Sequence, residues 1–257
     1  LAMKSRLKPT HVVTSYSVLA SQKNERGGVV PEDAPLPEFD DLANGYAQTK
    51  WVVENLVAEA ERRGLPCAIY RPGNITGHSR TGAANTGDIM HTLVLAMLHV
   101  GAVPDANLSI DLSPVDFVAG GIVELALRPS SCGNTFHLTN PKPLDISEMA
   151  EWLNSAGLPV KTTSFSEWSE GVGNLVDSVP ADVIGILSEI MSVDAPEGED
   201  RLPAALLSRF DSSHTLDELS SSNIRCRPAD AGLLDTYMQH LQDTGFFEFL
   251  ESMKANS

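Results

Sequence analysis

A β-branched run, a polar loop, an amphipathic helix and a second apolar run follow one another between residues 11 and 70, and that order constrains the fold more than any other feature. Residues 11–15, His-Val-Val-Thr-Ser, read as a short buried strand ending in hydroxyl side chains. Between Tyr46 and Arg63 the apolar residues Val52, Val53, Leu56, Val57 and Ala60 recur at helical spacing, and Gly64 with Pro66 supplies a stop. Residues 67–70, Cys-Ala-Ile-Tyr, predict a second strand, broken by Arg71-Pro72-Gly73. Strand, helix and strand in that order make a right-handed crossover in a parallel sheet. The fold class expected is therefore α/β.

Further along, residues 88–100 and 114–127 predict helices, the second with Pro114 in its first turn, while 108–112 and 135–138 predict strands. Past Pro143 the character changes. Asp145 and Glu148 form a capping-box pattern ahead of Met149, Trp152 and Leu153, and helical segments are expected near 180–191 and 228–243. Residues 192–200 and 212–222, rich in Ser, Asp, Gly and Pro, read as surface loops, as does the polar stretch 21–41. A parallel-sheet part over 1–140 and a mostly helical part over 141–257 are expected.

With 257 residues, 42% of them hydrophobic, the chain can bury a substantial core. Its 34 acidic and 18 basic residues give a net charge of -16, which repels phosphate backbones and anionic lipid, so no nucleic-acid or membrane partner is expected. Cys67, Cys132 and Cys226 are odd in number and widely spaced, which fits a reducing, cytoplasmic setting. The seven histidines show no H-E-x-x-H or short pairing, so no metal site is expected. No G-x-S-x-G elbow exists either, since Ser79 misses it by one residue. Asp116 reads as a first-turn acid complementing the helix dipole, and Phe246, Phe247 and Phe249 as the anchor of a terminal helix.

Chemistry concentrates at Tyr46 and Lys50, four residues apart on one helix face. A phenol is a feeble acid at neutral pH, and a nearby ammonium stabilises phenolate and eases proton transfer. The spacing alone also describes a solvent-facing pair on an ordinary helix. Context adds Ser15 at the end of the first predicted strand, on the carboxyl edge where open α/β sheets bind ligands. Thr14 and Ser17 compete for the same role.

The run 44–57, Asn-Gly-Tyr-Ala-Gln-Thr-Lys-Trp-Val-Val-Glu-Asn-Leu-Val, resembles the catalytic helix of the thioester reductase family of extended short-chain dehydrogenases. That family includes terminal reductase domains of nonribosomal peptide and polyketide synthetases and carboxylic acid reductases. Val13-Thr-Ser-Tyr-Ser-Val18, Ile69-Tyr-Arg-Pro-Gly73, Gly77-His-Ser-Arg-Thr-Gly82 and Leu112-Ser-Pro-Val-Asp-Phe117 resemble it in the same order, over about residues 8–140. The resemblance implies a Rossmann-type NADP-binding domain followed by a helical subdomain facing substrate and carrier protein. It also implies Ser15, Tyr46 and Lys50 as catalytic residues, with Tyr46, Lys50, Pro72, Gly73 and Asn74 holding NADPH. Gly73 would let the flat nicotinamide approach closely. The implied reaction releases an acyl thioester from a phosphopantetheinyl carrier protein as an aldehyde, with further reduction to the alcohol open.

The family's glycine-rich G-x-x-G-x-x-G turn, which cradles the cofactor pyrophosphate, is missing from this sequence. The adenosine-phosphate half of the site is therefore expected to lie on a preceding Rossmann half, and this fragment alone to be inactive. Two other readings stay open: a redox-inactive domain that releases its chain by cyclisation, and a non-catalytic binding module on the same fold.

Overall fold

The computed structural model describes residues 2–3, 6–21, 28–42, 44–85, 89–105, 108–174 and 209–245. The helix expected near 180–191, the loop at 192–200 and the three C-terminal phenylalanines lie outside the described residues. Two compact units make up the chain, one of Leu1–Ile75, Asp111–Pro141 and Ala204–Arg227, the other of Thr76–Ile110, Lys142–Pro203 and Pro228–Ser257. They interleave along the sequence, where a single division at residue 140 was expected.

The first unit is built on the predicted crossover. Strand β1 (Thr10–Val13) leads to helix α1 (Gly45–Arg62) and returns as strand β2 (Cys67–Pro72), parallel to β1 with Thr10 opposite Cys67. Asn44 caps α1 by accepting the Ala47 N–H at 2.9 Å, satisfying one of the helix's orphan donors. Helix α2 (Val115–Ala126) starts directly after Pro114, which closes the preceding segment, and leads to strand β3 (Thr135–Leu138). β3 lies parallel to β2 on its other edge, giving the order β1-β2-β3.

Alternation along β2 divides the core between the two sheet faces. Cys67 and Ile69 pack with Val57, Val53, Val12 and Leu65 on the α1 side. Ala68 and Tyr70 pack with Phe117, Val118, Leu125, Phe136 and Leu138 on the α2 side. Side chains on a strand alternate faces with period two, so a continuous apolar run fits a sheet covered by helices on both sides.

Four expectations need correction. β2 does not break at Arg71 but runs through Pro72; proline is tolerated there because it is the last strand residue, where the ladder ends. Residues 212–222 contain helix α3 (Ser213–Leu219), whose Thr215 and Leu219 are buried, so tertiary burial overrides a loop-like composition. Residues 108–112 yield only the two-residue strand Ser109–Ile110, antiparallel to Leu144–Asp145. β1 is also less buried than expected: it is the outer strand of the described sheet, and Val13 stands 45% exposed.

In the second unit the predicted capping box is formed, with Asp145 and Glu148 closing the start of the helix Ile146–Ser155. That helix buries Met149, Trp152 and Leu153, and the Trp152 indole N–H donates to Asp235 at 2.8 Å. Gly82 turns the chain with φ of +71°, and a Cβ there would run into the carbonyl oxygen of Thr236. Gly82→Ala is expected to cost about 2 kcal/mol of stability, read by urea denaturation, through left-handed strain plus this clash. A change within error would show that the neighbouring helix Ala231–Asp243 yields freely.

Candidate active site at the carboxyl edge of the sheet

Parallel strands send their C-terminal ends to one edge, and the helix that follows β1 begins at that same edge. Three strand ends collect there: Thr14, Ser15 and Tyr16 after β1, Gly73 and Asn74 after β2, and Thr139 and Asn140 after β3. Tyr46 sits in the first turn of α1 and Lys50 one turn later. The Lys50 ammonium lies 5.6 Å from the centre of the Tyr46 ring, and the Tyr46 side chain is open to solvent at 49% exposure. The helical spacing thus brings the pair together as expected.

Of the three hydroxyls weighed beside Tyr46, each has a distinct situation. Thr14 is buried and donates to Glu54 Oε1 at 2.6 Å, which commits it elsewhere. Ser15 is buried and its Oγ accepts the Ser17 N–H at 3.2 Å, capping the single turn Tyr16–Leu19. Its own hydroxyl proton keeps no partner in that contact, and no hydrogen bond joins it to the Tyr46 phenol among the described residues. Ser17 Oγ is buried with no partner among them.

Sequence reasoning missed the polar network beneath these residues. Glu54, four residues beyond Lys50 on α1, receives Arg71 through Nε at 3.0 Å and Nη2 at 2.6 Å, and both side chains are almost fully buried. Arg71 Nη1 reaches the Glu32 carbonyl and His137 Nε2, each at 3.4 Å. The Glu32 carboxylate accepts the His137 N–H at 2.8 Å and the Thr215 hydroxyl, tying α3 to β3. Buried polar groups need partners, and here Glu54 is ion-paired with Arg71 while the Glu32 carboxylate is held by neutral hydrogen-bond donors. The available signal was an arginine inside an otherwise apolar strand and an acid on the buried face of α1.

Asp111 is the second group missed. Its carboxylate accepts the backbone N–H of Asn74 at 2.7 Å, that of Asn140 at 2.8 Å and the Ser113 hydroxyl at 2.9 Å. A Cβ on Gly73 would collide with Asp111 Oδ2, so the missing side chain makes room for this carboxylate. Asn74 Oδ1 in turn accepts the Tyr16 hydroxyl at 3.0 Å, and the Tyr16 ring lies 4.5 Å from that of Phe210.

Electrostatics follow from this burial. Removal from solvent pushes the Asp111 carboxyl up to about 6 against the lowering effect of its donors, and pushes the Tyr16 phenol well above its ordinary value. Burial, assisted by the Arg71 charge, holds the His137 imidazole down at about 4. Between about pH 4 and 6.5 the unfolded chain binds a proton at His137 that the folded chain refuses, so stability from this group is lost as pH falls through that window. Asp111 acts oppositely between about pH 4 and 6, holding a proton in the fold that the unfolded chain has released. His137→Asn should therefore reduce the stability lost between pH 7 and pH 5, measured by urea denaturation at both values. An unchanged loss would remove His137 as its source.

The described residues contain no cluster of His, Cys, Asp or Glu able to hold a metal ion, and no helix long and apolar enough to cross a membrane. All three cysteines are free thiols, and burial raises those of Cys67 and Cys226. Asp116 stands in the first turn of α2, the position expected of it.

An NAD-binding family model described as male sterility protein matches residues 1–122, covering β1, α1, β2 and most of α2. The terminal R domain from the myxalamid PKS-NRPS biosynthetic pathway superposes with a TM-score of 0.84 at 37% identity, over 95% of this chain and 60% of that one. The chain belongs to the thioester reductase family of extended short-chain dehydrogenases. Within it, the isonitrile lipopeptide synthase of Streptomyces coeruleorubidus is 31% identical over 93% of this chain and 16% of its own length. A linear gramicidin synthase polypeptide of Brevibacillus parabrevis is 36% identical over 67% of this chain and 3% of its own. The chain thus spans a small part of these curated relatives and about three fifths of the myxalamid domain. The nonribosomal peptide synthetase R domain of Mycobacterium tuberculosis, at 23% identity and a TM-score of 0.70, shares the fold.

Proposed function

We propose that this thioester reductase chain carries the catalytic half of an NADPH-dependent site that releases an acyl group from a phosphopantetheinyl carrier protein as an aldehyde. The observation that carries the reading is the solvent-open Tyr46 phenol with the Lys50 ammonium 5.6 Å from its ring, beside Ser15 at the carboxyl edge. The donor set fits the nicotinamide-ribose end of the cofactor: an exposed phenol and ammonium that suit a ribose diol, next to the Pro72-Gly73-Asn74 turn. No glycine-rich phosphate cradle is present in the sequence. In this reading the adenosine-phosphate half is bound outside these residues, which fits coverage of 60% of the myxalamid domain, and the chain by itself is inactive.

The cofactor, when bound, supplies hydride to the thioester carbonyl carbon. Ser15 and Tyr46 donate hydrogen bonds to the carbonyl oxygen as negative charge builds on it. Tyr46 passes its proton to that oxygen, leaving a hemithioacetal, and Lys50 offsets the charge left on the phenolate. Collapse of the hemithioacetal breaks the carbon–sulfur bond, giving aldehyde and the carrier's free thiol. A second reduction to the alcohol would use the same groups.

Residues 141–257 serve in this proposal to shape the acyl pocket and to face the carrier, in a cytoplasmic enzyme. Relatives named as an aldehyde reductase, of Aspergillus flavus, and an L-2-aminoadipate reductase, of Schizosaccharomyces pombe, favour reduction over cyclisation or mere binding. The test is incubation of the intact polypeptide with NADPH and an acyl-carrier thioester. Aldehyde with stoichiometric NADPH oxidation is expected, and a cyclised product without oxidation would overturn the reading.

A further inference from the structure

We propose that Asp111 is a positioning residue that locks the Gly73-Asn74 turn and, through Asn74 and Tyr16, the Ser15 segment, into one rigid edge facing Tyr46. The proposal rests on the reductase reading above and goes beyond it, because neither Asp111 nor Tyr16 belongs to the Ser15, Tyr46 and Lys50 set.

Two backbone donors from different strand ends meet this one carboxylate: Asn74 N–H, after β2, on Oδ2 and Asn140 N–H, after β3, on Oδ1. Their separation is then set by the width of a carboxylate rather than by two flexible loops. Ser113 donates to both oxygens, at 2.9 and 3.1 Å, and fixes the carboxylate plane, while the Ser113 N–H itself donates to the Asn74 carbonyl at 2.9 Å. Glycine is the only residue type that admits Oδ2 at this distance from the backbone of position 73, so the turn and the acid are matched to each other.

The third strand end joins through side chains. The Tyr16 hydroxyl donates to Asn74 Oδ1 at 3.0 Å, and Tyr16 directly follows Ser15. Only an acceptor on both oxygens satisfies the arrangement. An amide in place of the carboxylate would turn an NH2 toward the N–H of Asn74 or Asn140, releasing one strand end with almost no change in volume.

The test uses the intact reductase with Asp111→Asn and Tyr16→Phe, measuring kcat, KM for an acyl-carrier thioester and the melting temperature. Misplacement of a reacting group by about 1 Å can cost on the order of 100-fold in rate. Asp111→Asn is therefore expected to lower kcat by about 10- to 100-fold and Tyr16→Phe by about 3- to 10-fold, with KM within about twofold of the parent. A lowered melting temperature with kcat intact would reduce Asp111 to a stabilising residue and overturn the proposal. If Asp111→Asn does not fold, Tyr16→Phe decides: parental kcat overturns the proposal, and reduced kcat at parental KM supports it. Loss of activity in Tyr46→Phe combined with parental kcat in both variants would sink this inference alone. Indifference to Tyr46→Phe would sink the reductase reading and this inference together.

Discussion

Tyr46→Phe is expected to lower kcat for acyl-thioester reduction by about 100- to 10,000-fold, the range lost when a positioned proton donor is removed. The substitution deletes one oxygen from a ring that is 49% exposed and whose hydroxyl makes no hydrogen bond among the described residues. Folding stability should therefore stay within about 0.5 kcal/mol of the parent, as for surface changes generally. Single-turnover assays in the intact polypeptide would separate the chemical step from cofactor binding. Parental turnover would remove Tyr46 as the proton donor, and slow turnover restored by saturating NADPH would shift its role to binding.

The second large effect is on stability and falls on Glu54. Replacing it by Leu leaves the Arg71 guanidinium, 4% exposed, without its carboxylate and removes the nearer acceptor of Thr14, leaving only the Tyr70 carbonyl at 3.4 Å. Breaking a buried pair in this one-sided way costs about 3–5 kcal/mol, because the surviving charge stays desolvated. Replacing both partners, as Glu54→Leu with Arg71→Met, should recover most of that loss, since an apolar pair asks for no compensation. Urea denaturation of the single and double variants measures the difference. Equal destabilisation of the two would show that packing around the network, rather than the uncompensated charge, sets the cost.

Much of this was legible in the residues. The helical repeat through Val53 and Val57 and the apolar run at Cys67–Tyr70 predict α1, β2 and their parallel crossover, because burial on one helix face or on both sheet faces leaves a periodic imprint. The Tyr46–Lys50 spacing is likewise local, one helical turn that needs no tertiary information. The capping box at Asp145 and Glu148 is of the same kind.

What escaped was non-local. α3 has a loop-like composition and is helical because Thr215 meets Glu32 across 183 positions of sequence. The Arg71 partner lies 17 residues away, on a different element. Gly73 reads as a turn residue or an opening for a flat ligand, yet the space it leaves is filled by Asp111.

The sequence by itself therefore determined the α/β class, the crossover and the Tyr46–Lys50 pair, since each depends on periodicity or on neighbours within a turn. Tertiary structure alone decided which hydroxyl is committed to Glu54, which carboxylate ties the strand ends together and where the charges are buried. Those choices depend on which strand ends a parallel sheet gathers at one edge, and no spacing along the chain encodes that distance.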